Sequence, residues 1–217
     1  MNLFFFNFFK TSVGKKMIMS TTGLCFCAFI AVHLFGNLMI YGGKNIFNSY
    51  VDHLHSLGFI INILEFGLLI LGAFHVATGL TLFWQNRKAR PMRYSKKKNA
   101  GGRTIGSMTM PHTGFLTLFF LVFHLMDFHF ASLEGQTVFD IVVIFFAKTG
   151  HVITYVGAVI VVGIHISHGF WSAFQTLGLN HPKYMSAIKG LGIFFSLAVG
   201  TGFGFIPIFI AALNRLR

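Results

Sequence analysis

Gly163-Ile164-His165-Ile166-Ser167-His168-Gly169-Phe170-Trp171 lies within a run, 149–182, that contains no Asp, Glu, Lys or Arg. About 20 apolar residues already cross the hydrocarbon core of a bilayer, so the run predicts a membrane-spanning helix. It carries imidazoles to membrane depth. A polar side chain there costs free energy unless a partner satisfies it, and an intramembrane histidine therefore marks a candidate functional site.

The composition points the same way. Of 217 residues, 54% are apolar and only 10% charged, against about a quarter charged in soluble domains. In a soluble chain a formal net charge of +12 would suggest nucleic acid, but the placement of the charges argues for a membrane and against a nucleic-acid partner. Thirteen of the seventeen Lys and Arg fall in three segments. These are Lys10, Lys15 and Lys16; Arg87, Lys88, Arg90, Arg93, Lys96, Lys97, Lys98 and Arg103; and Lys183 with Lys189. Basic clusters between apolar spans mark the cytoplasmic face. Cys25 and Cys27 are the only cysteines. Two apart on a helix they point in different directions, and without a Cys-x-x-Cys-His there is no covalent c-type haem attachment. Both read as buried apolar fillers. The Phe-rich start, 1–9, lacks the basic beginning of a secretory signal and reads as an interfacial anchor.

Hydropathy and charge predict a single all-α domain, an integral membrane protein with five transmembrane helices at about 17–41, 58–84, 111–130, 149–176 and 190–213. Between the first two spans, 44–56 reads as a polar connection holding Asp52, His53 and His55. Pro111 suits the first turn of the third span. After a polar link with Glu134, an apolar stretch runs along or just into the interface, and Lys148 precedes the fourth span. With the N-terminus inside, all three basic clusters fall on one side.

Each of the first four spans supplies a histidine, and a rise of about 1.5 Å per residue sorts them by depth. His33 lies about 24 Å and His124 about 20 Å from the inner ends of their spans. His75 and His165 lie on descending helices, within about 10 Å of the inner face of a ~30 Å core. His33 and His124 thus form an outer pair, His75 and His165 an inner pair. In an up-and-down bundle the first and third spans are diagonal, as are the second and fourth, and facing side chains in a bundle core are where cofactors are held. A flat macrocycle with one axial imidazole on each side fits a diagonal pair. The expectation is a bundle of the first four helices binding two b-type haems, about 15 Å apart on the helical-rise arithmetic. Zinc wants four converging ligands and bundle di-iron sites want several carboxylates, and the chain offers neither. His168, three residues from His165, is an alternate ligand or a haem-propionate contact. Gly36, Gly72, Gly79, Gly114, Gly157, Gly163 and Gly169 suit either a close porphyrin or close helix packing. His112, His151 and His181 read as residues of span ends, and His53, His55 and His129 as residues of the outer surface.

Val32-His33-Leu34, Phe74-His75-Val76-Ala77-x-Gly79, Phe123-His124-Leu125 and His165-x-Ser167-x-Gly169-x-Trp171 together resemble the single-chain, five-span dihaem cytochrome b membrane anchor of succinate:quinone oxidoreductases and quinol:fumarate reductases. The resemblance covers roughly 13–213. It implies that the first and third spans ligate the distal haem and the second and fourth the proximal one. It also implies a cytoplasmic flavoprotein subunit with covalent FAD, an iron-sulfur subunit, menaquinone or a related quinone as substrate, and the bacterial inner membrane as the location. The expected function is electron transfer between the iron-sulfur subunit and quinone. Two other readings stay open. One is the cytochrome b subunit of a nitrate reductase, hydrogenase or formate dehydrogenase, and the other is a haem-free transporter.

Two carboxylates are candidates for proton exchange with quinone. Glu65 lies about 10 Å below the outer face, level with the outer histidine pair, and its span offers no basic neighbour. Asp127 stands three residues beyond His124. A carboxyl group at such depth is desolvated, which suits it to take up and release protons.

Overall fold

The computed structural model describes residues 7, 8, 10–89, 105–132 and 135–216. Arg90, Arg93, Lys96, Lys97, Lys98, Arg103, Glu134 and Arg217, and most of the Phe-rich start, lie outside the described residues. In chain order the elements are α1 (Ser12–Leu38), a 3-10 turn (Met39–Gly42), α2 (Lys44–Ser56), α3 (Phe59–Lys88), α4 (Ile105–His124), a π-helical turn (Leu125–His129), α5 (Val138–Phe145), α6 (Thr149–Thr176) and α7 (Pro182–Arg215). No strand occurs among the described residues.

Five of these, α1, α3, α4, α6 and α7, are long and apolar enough to cross a membrane, which is the architecture of a multi-pass membrane protein. Their outward faces carry large apolar side chains such as Phe59, Ile63, Phe66 and Leu69 on α3 and Phe194, Leu197 and Phe205 on α7. Lipid, not water, suits such a surface. Cys25 belongs to it as well: it is exposed and Cys27 half-buried, so neither fills the core.

The helix ends follow local chemistry. The Thr11 hydroxyl caps α1 by accepting from the Gly14 N–H at 3.0 Å. The fourth span begins and ends as the charge-free run predicts, because Lys148 and the 177–181 turn bound it. The third does not. α4 starts at Ile105 and takes Pro111 into its interior, a placement that membrane helices tolerate because neighbours re-satisfy the interrupted ladder. α7 starts at Pro182, earlier than the apolar pattern suggests, because His181 caps it and Lys183 and Lys189 ride on a helix that continues past the apolar span.

The connection 44–56 is helical. Phe47 buries one face of α2, and α5 is held at its start by a capping box between Thr137 and Asp140. The two short helices meet through Lys44 and Asp140, 2.7 Å apart, and through the Phe139 N–H, which donates to Asn48 Oδ1 at 3.3 Å. Asn214 Nδ2 of α7 donates to the Val143 carbonyl at 2.9 Å. Ile40, Phe47, Phe139, Val142, Phe146, Tyr155, Ile206 and Ile210 form a core cluster at this end of the bundle, the outer end in the orientation read from the basic clusters. Asp52, Glu65, Asp127 and Asp140 lie toward the same end, whereas Lys15, Lys16, Arg87, Lys88, Lys183 and Lys189 mark the opposite one.

α1 packs closely on α3, α6 and α7, α6 packs on α4 and α7, and α3 has α1 as its close neighbour. Around the first four spans the order is therefore α3, α1, α6, α4, with α7 outside on α1 and α6. The diagonals are α1 with α4 and α3 with α6. α3 and α4 complete the ring without packing closely on each other.

Candidate functional site

The inner half of the bundle holds the same arrangement twice. On α1, Thr22 Oγ1 lies 3.0 Å from His75 Nδ1 of α3. A β-carbon on the next residue, Gly23, would stand 3.3 Å from His75 Cε1. On α4, Thr113 Oγ1 lies 3.2 Å from His165 Nδ1 of α6, and a β-carbon on Gly114 would stand 3.2 Å from His165 Cε1. Each imidazole thus rests on a Thr-Gly step of the preceding span. The next turns match too. Gly79 faces Met19 and Gly169 faces Met110, with Met19 three residues before Thr22 and Met110 three before Thr113.

These contacts expose a repeat that a search for short periods does not find. Spans one and three share Met-x-x-Thr-Gly-x9-His, at Met19 to His33 and Met110 to His124; spans two and four share His-x-x-x-Gly, at His75 and His165. The pair α1 and α3 thus matches the pair α4 and α6 contact for contact at these positions. The relation fails in one respect, because α1 packs closely on α6 while α3 and α4 stay apart. Of the glycines that suit a close porphyrin, Gly36, Gly72, Gly79, Gly163 and Gly169 face side chains or backbone of neighbouring helices, Gly114 faces His165, and Gly157 faces open space.

Toward the outer end the other two histidines meet. The ring centroids of His33 and His124 are 6.0 Å apart with planes at 83°. Phe29 stacks on His33 at 5.3 Å and Phe203 of α7 lies at 5.5 Å, while Phe120 and Phe128 flank His124. Asn37 Nδ2 donates to the His33 carbonyl at 2.8 Å and stands 3.5 Å from both ring nitrogens. His124 Nδ1 is buried without a hydrogen-bond partner.

This donor set fits an axially ligated iron. A metal held by one nitrogen from each of two rings, at ~2 Å, keeps the ring centroids about 6 Å apart, which is the His33–His124 separation. Among the described residues no three His, Cys, Asp or Glu side chains converge on one point as zinc or di-iron would require. The spacing of His33 and His124 fits a bis-imidazole iron site, and His75 and His165, each oriented by a threonine, offer the same donor type at the inner level.

His168 does not share the surroundings of His165. It packs edge-on to Trp171 at 4.8 Å and against Gly106 near the start of α4, one turn closer to the basic end. Lys189 Nζ lies 4.9 Å above the Trp171 ring. Glu65 is exposed, although it falls in heptad register with Gly72 and Gly79, the line of α3 that meets α1. The seam between these helices therefore opens toward the outer end, and Glu65 lies in the opening.

Asp127 is differently placed. It lies on the π-helical turn after His124, and the Tyr155 hydroxyl donates to its Oδ2 at 2.6 Å. A cleft of about 380 Å³ opens here between α4 and α6, lined among others by Phe119, Phe120, Asp127, His151, Thr154 and Tyr155. Phe120 touches both His124 and Tyr155, with ring centroids at 5.7 and 5.2 Å. His151 stacks on Phe145 at 4.0 Å and gives its Nδ1 proton to the Phe145 carbonyl at 2.9 Å. Its Nε2 is left as an acceptor. In the sequence His151 reads as a span-end residue, and the signal for Tyr155 is that a tyrosine hydroxyl inside an apolar span needs a partner.

The chain matches no family model, no curated protein and no solved structure.

Proposed function

We propose that this chain is the membrane-anchor and electron-transfer subunit of a succinate:quinone oxidoreductase or quinol:fumarate reductase, of the dihaem cytochrome b type. The observation that carries the proposal is the arrangement of four histidines as two pairs at two levels of one bundle, each pair drawn from diagonally opposed helices. His33 and His124 would hold the outer haem iron, His75 and His165 the inner one. Bound haem supplies one-electron transfer along the bundle axis, which apolar helices cannot provide. The chain itself orients the imidazoles, excludes water from them and handles protons near the outer pair.

Quinone, menaquinone or a relative, is the proposed substrate, and the cleft beside Asp127, Tyr155 and His151 is the favoured place for its head group. Its volume lies within the roughly 300–1,000 Å³ usual for small-molecule sites, and its walls are aromatic with a few polar groups. Asp127 can take or give a proton there, with the Tyr155 hydroxyl holding its carboxylate and His151 Nε2 placed to accept from a quinol hydroxyl. Glu65, in the opening between α1 and α3, is the second candidate. The basic end, with Lys15, Lys16, Arg87, Lys88, Lys183 and Lys189, is the proposed docking face for the iron-sulfur subunit and, beyond it, the FAD-bearing flavoprotein. Positive charge on this face agrees with an N-terminus on the cytoplasmic side of a bacterial inner membrane and with contact to anionic lipid.

An absorption spectrum with haem stoichiometry tests the proposal at once. Two haems b per chain, with co-purification of a flavin-containing, succinate-oxidising subunit, are expected. Absence of haem from the isolated native complex would leave a transporter, and co-purification with a nitrate reductase, hydrogenase or formate dehydrogenase catalytic subunit would reassign the partner.

A further inference from the structure

We infer that Thr22 and Thr113 are positioning residues for the inner histidine pair, fixing which ring nitrogen of His75 and His165 carries the proton and so tuning the electron affinity of what those rings ligate. The inference rests on the dihaem reading above. It starts from the single hydrogen of a hydroxyl group. Thr22 Oγ1 lies 2.8 Å from the Ile18 carbonyl and 3.1 Å from that of Met19; Thr113 Oγ1 lies 3.1 and 3.2 Å from the carbonyls of Thr109 and Met110. Carbonyls only accept, and a helical threonine commonly returns its hydroxyl hydrogen to the preceding turn. With that hydrogen committed, Oγ1 can only accept from the imidazole beside it. Nδ1 therefore carries the proton in both His75 and His165, and Nε2 keeps the lone pair with which a metal is bound.

The adjacent glycine completes the device. With no β-carbon at Gly23 or Gly114, each ring settles against the helix backbone beside its threonine, where a side chain would crowd Cε1. The arrangement occurs twice, in two pairs of spans whose intervening residues differ, so one helix's accidental packing does not explain it. The outer pair lacks it. No hydroxyl lies on a ring nitrogen of His33, whose neighbour Asn37 stands 3.5 Å away, and His124 Nδ1 has no hydrogen-bond partner. A hydrogen bond from Nδ1–H makes an imidazole the more basic ligand and favours the oxidised metal. The two threonines should thus lower the potential of the inner haem and leave the outer one unaffected.

The test is spectropotentiometric titration of the whole membrane complex carrying Thr22→Val, Thr113→Val, Thr22→Ser or Thr113→Ser. The two components are identified beforehand by their loss in His75→Ala and His33→Ala. Each Val variant is expected to move the inner midpoint to more positive potential with the outer midpoint unchanged, and each Ser variant, which keeps the hydroxyl, to titrate as the wild type. Unmoved midpoints in both Val variants at full haem content would overturn the inference, as would equal shifts of both components. Should a Val variant lose the inner component altogether, the matching Ser variant decides, retention of the wild-type midpoint supporting the inference and loss overturning it. A wild-type complex without haem would instead sink the electron-transfer reading.

Discussion

His33 of α1 and His124 of α4 stand ring to ring, 6.0 Å between centroids, although the helices that carry them do not pack closely on each other. The imidazoles bridge the diagonal of the bundle. If they are the two axial ligands of one haem, His33→Ala or His124→Ala should abolish one spectral component completely, and His75→Ala or His165→Ala the other. Visible difference spectra of the four variants check this. Loss of one common component from substitutions in both pairs would break the pairing.

Gly23 and Gly114 give a finer probe of the inner pair. A β-carbon at either position would stand 3.3 or 3.2 Å from the imidazole Cε1, closer than ordinary contact, so the ring must shift by a few tenths of an ångström. Gly23→Ala or Gly114→Ala is expected to shift or broaden the inner component only, and Gly114→Val to remove it. An outer component altered by Gly114→Ala would show that the two levels are not separable.

The depth of the four histidines was legible in the sequence because helical rise converts position into height once the span ends are marked by charge. Thr149–Thr176 was delimited for the same reason. Pro111 misled, since proline suits both a first turn and the interior of a membrane helix. The repeat is faint in the sequence because only Met, Thr, Gly and His recur at fixed spacing, and any apolar residue serves between them. Thr22 and Thr113 looked like ordinary small polar residues until His75 and His165 were found beside them across the helix pair. Tyr155 was hidden inside the charge-free run, and only its contact with Asp127 gives it a role. The connection 44–56 does carry an apolar stripe, Phe47, Tyr50, Val51 and Leu54, at helical spacing, but its polar composition reads as a loop unless that spacing is followed, and Phe47 is buried only in the cluster it forms with α5 and α7.

The pair that joins α2 to α5 lies outside the membrane-spanning segments and gives a pH prediction. Lys44 beside Asp140, with help from Thr137, holds the Asp140 carboxyl down at about 2. A carboxylate whose folded pKa lies below its unfolded value of ~3.8 stabilises the fold fully above about pH 4 and loses that contribution as pH falls through about 2. The pair is exposed, so the effect is small. Lys44→Met is expected to lower the thermal midpoint of the detergent-solubilised protein slightly at pH 6, with the difference from wild type closing between about pH 4 and 2. A difference that stays constant across that window would show that the ion pair contributes nothing.

Quinone chemistry gives the last prediction, and it turns on the contrast between Asp127 and Glu65. Asp127 accepts the Tyr155 hydroxyl at 2.6 Å within an aromatic cleft that reaches His124 through Phe120, whereas Glu65 is exposed in the opening between α1 and α3. Reduction of a quinone to a quinol takes two protons with two electrons, so a proton donor must stand within hydrogen-bond reach of the head group. Of the two carboxylates, Asp127 is the one that combines a hydrogen-bond partner with a cleft of suitable size. Asp127→Asn should lower quinone-linked turnover by about 100-fold or more, the usual contribution of a positioned general acid or base, while succinate oxidation with an artificial acceptor and both haem components stay unchanged. Tyr155→Phe removes the donor but keeps the carboxyl group, and a smaller loss with an altered pH profile is expected. Glu65→Gln should retain most activity if the cleft beside Asp127 is the site. Full quinone turnover in Asp127→Asn, together with loss in Glu65→Gln, would move the site to the opening between α1 and α3; full turnover in both would exclude these carboxylates as the proton-handling groups.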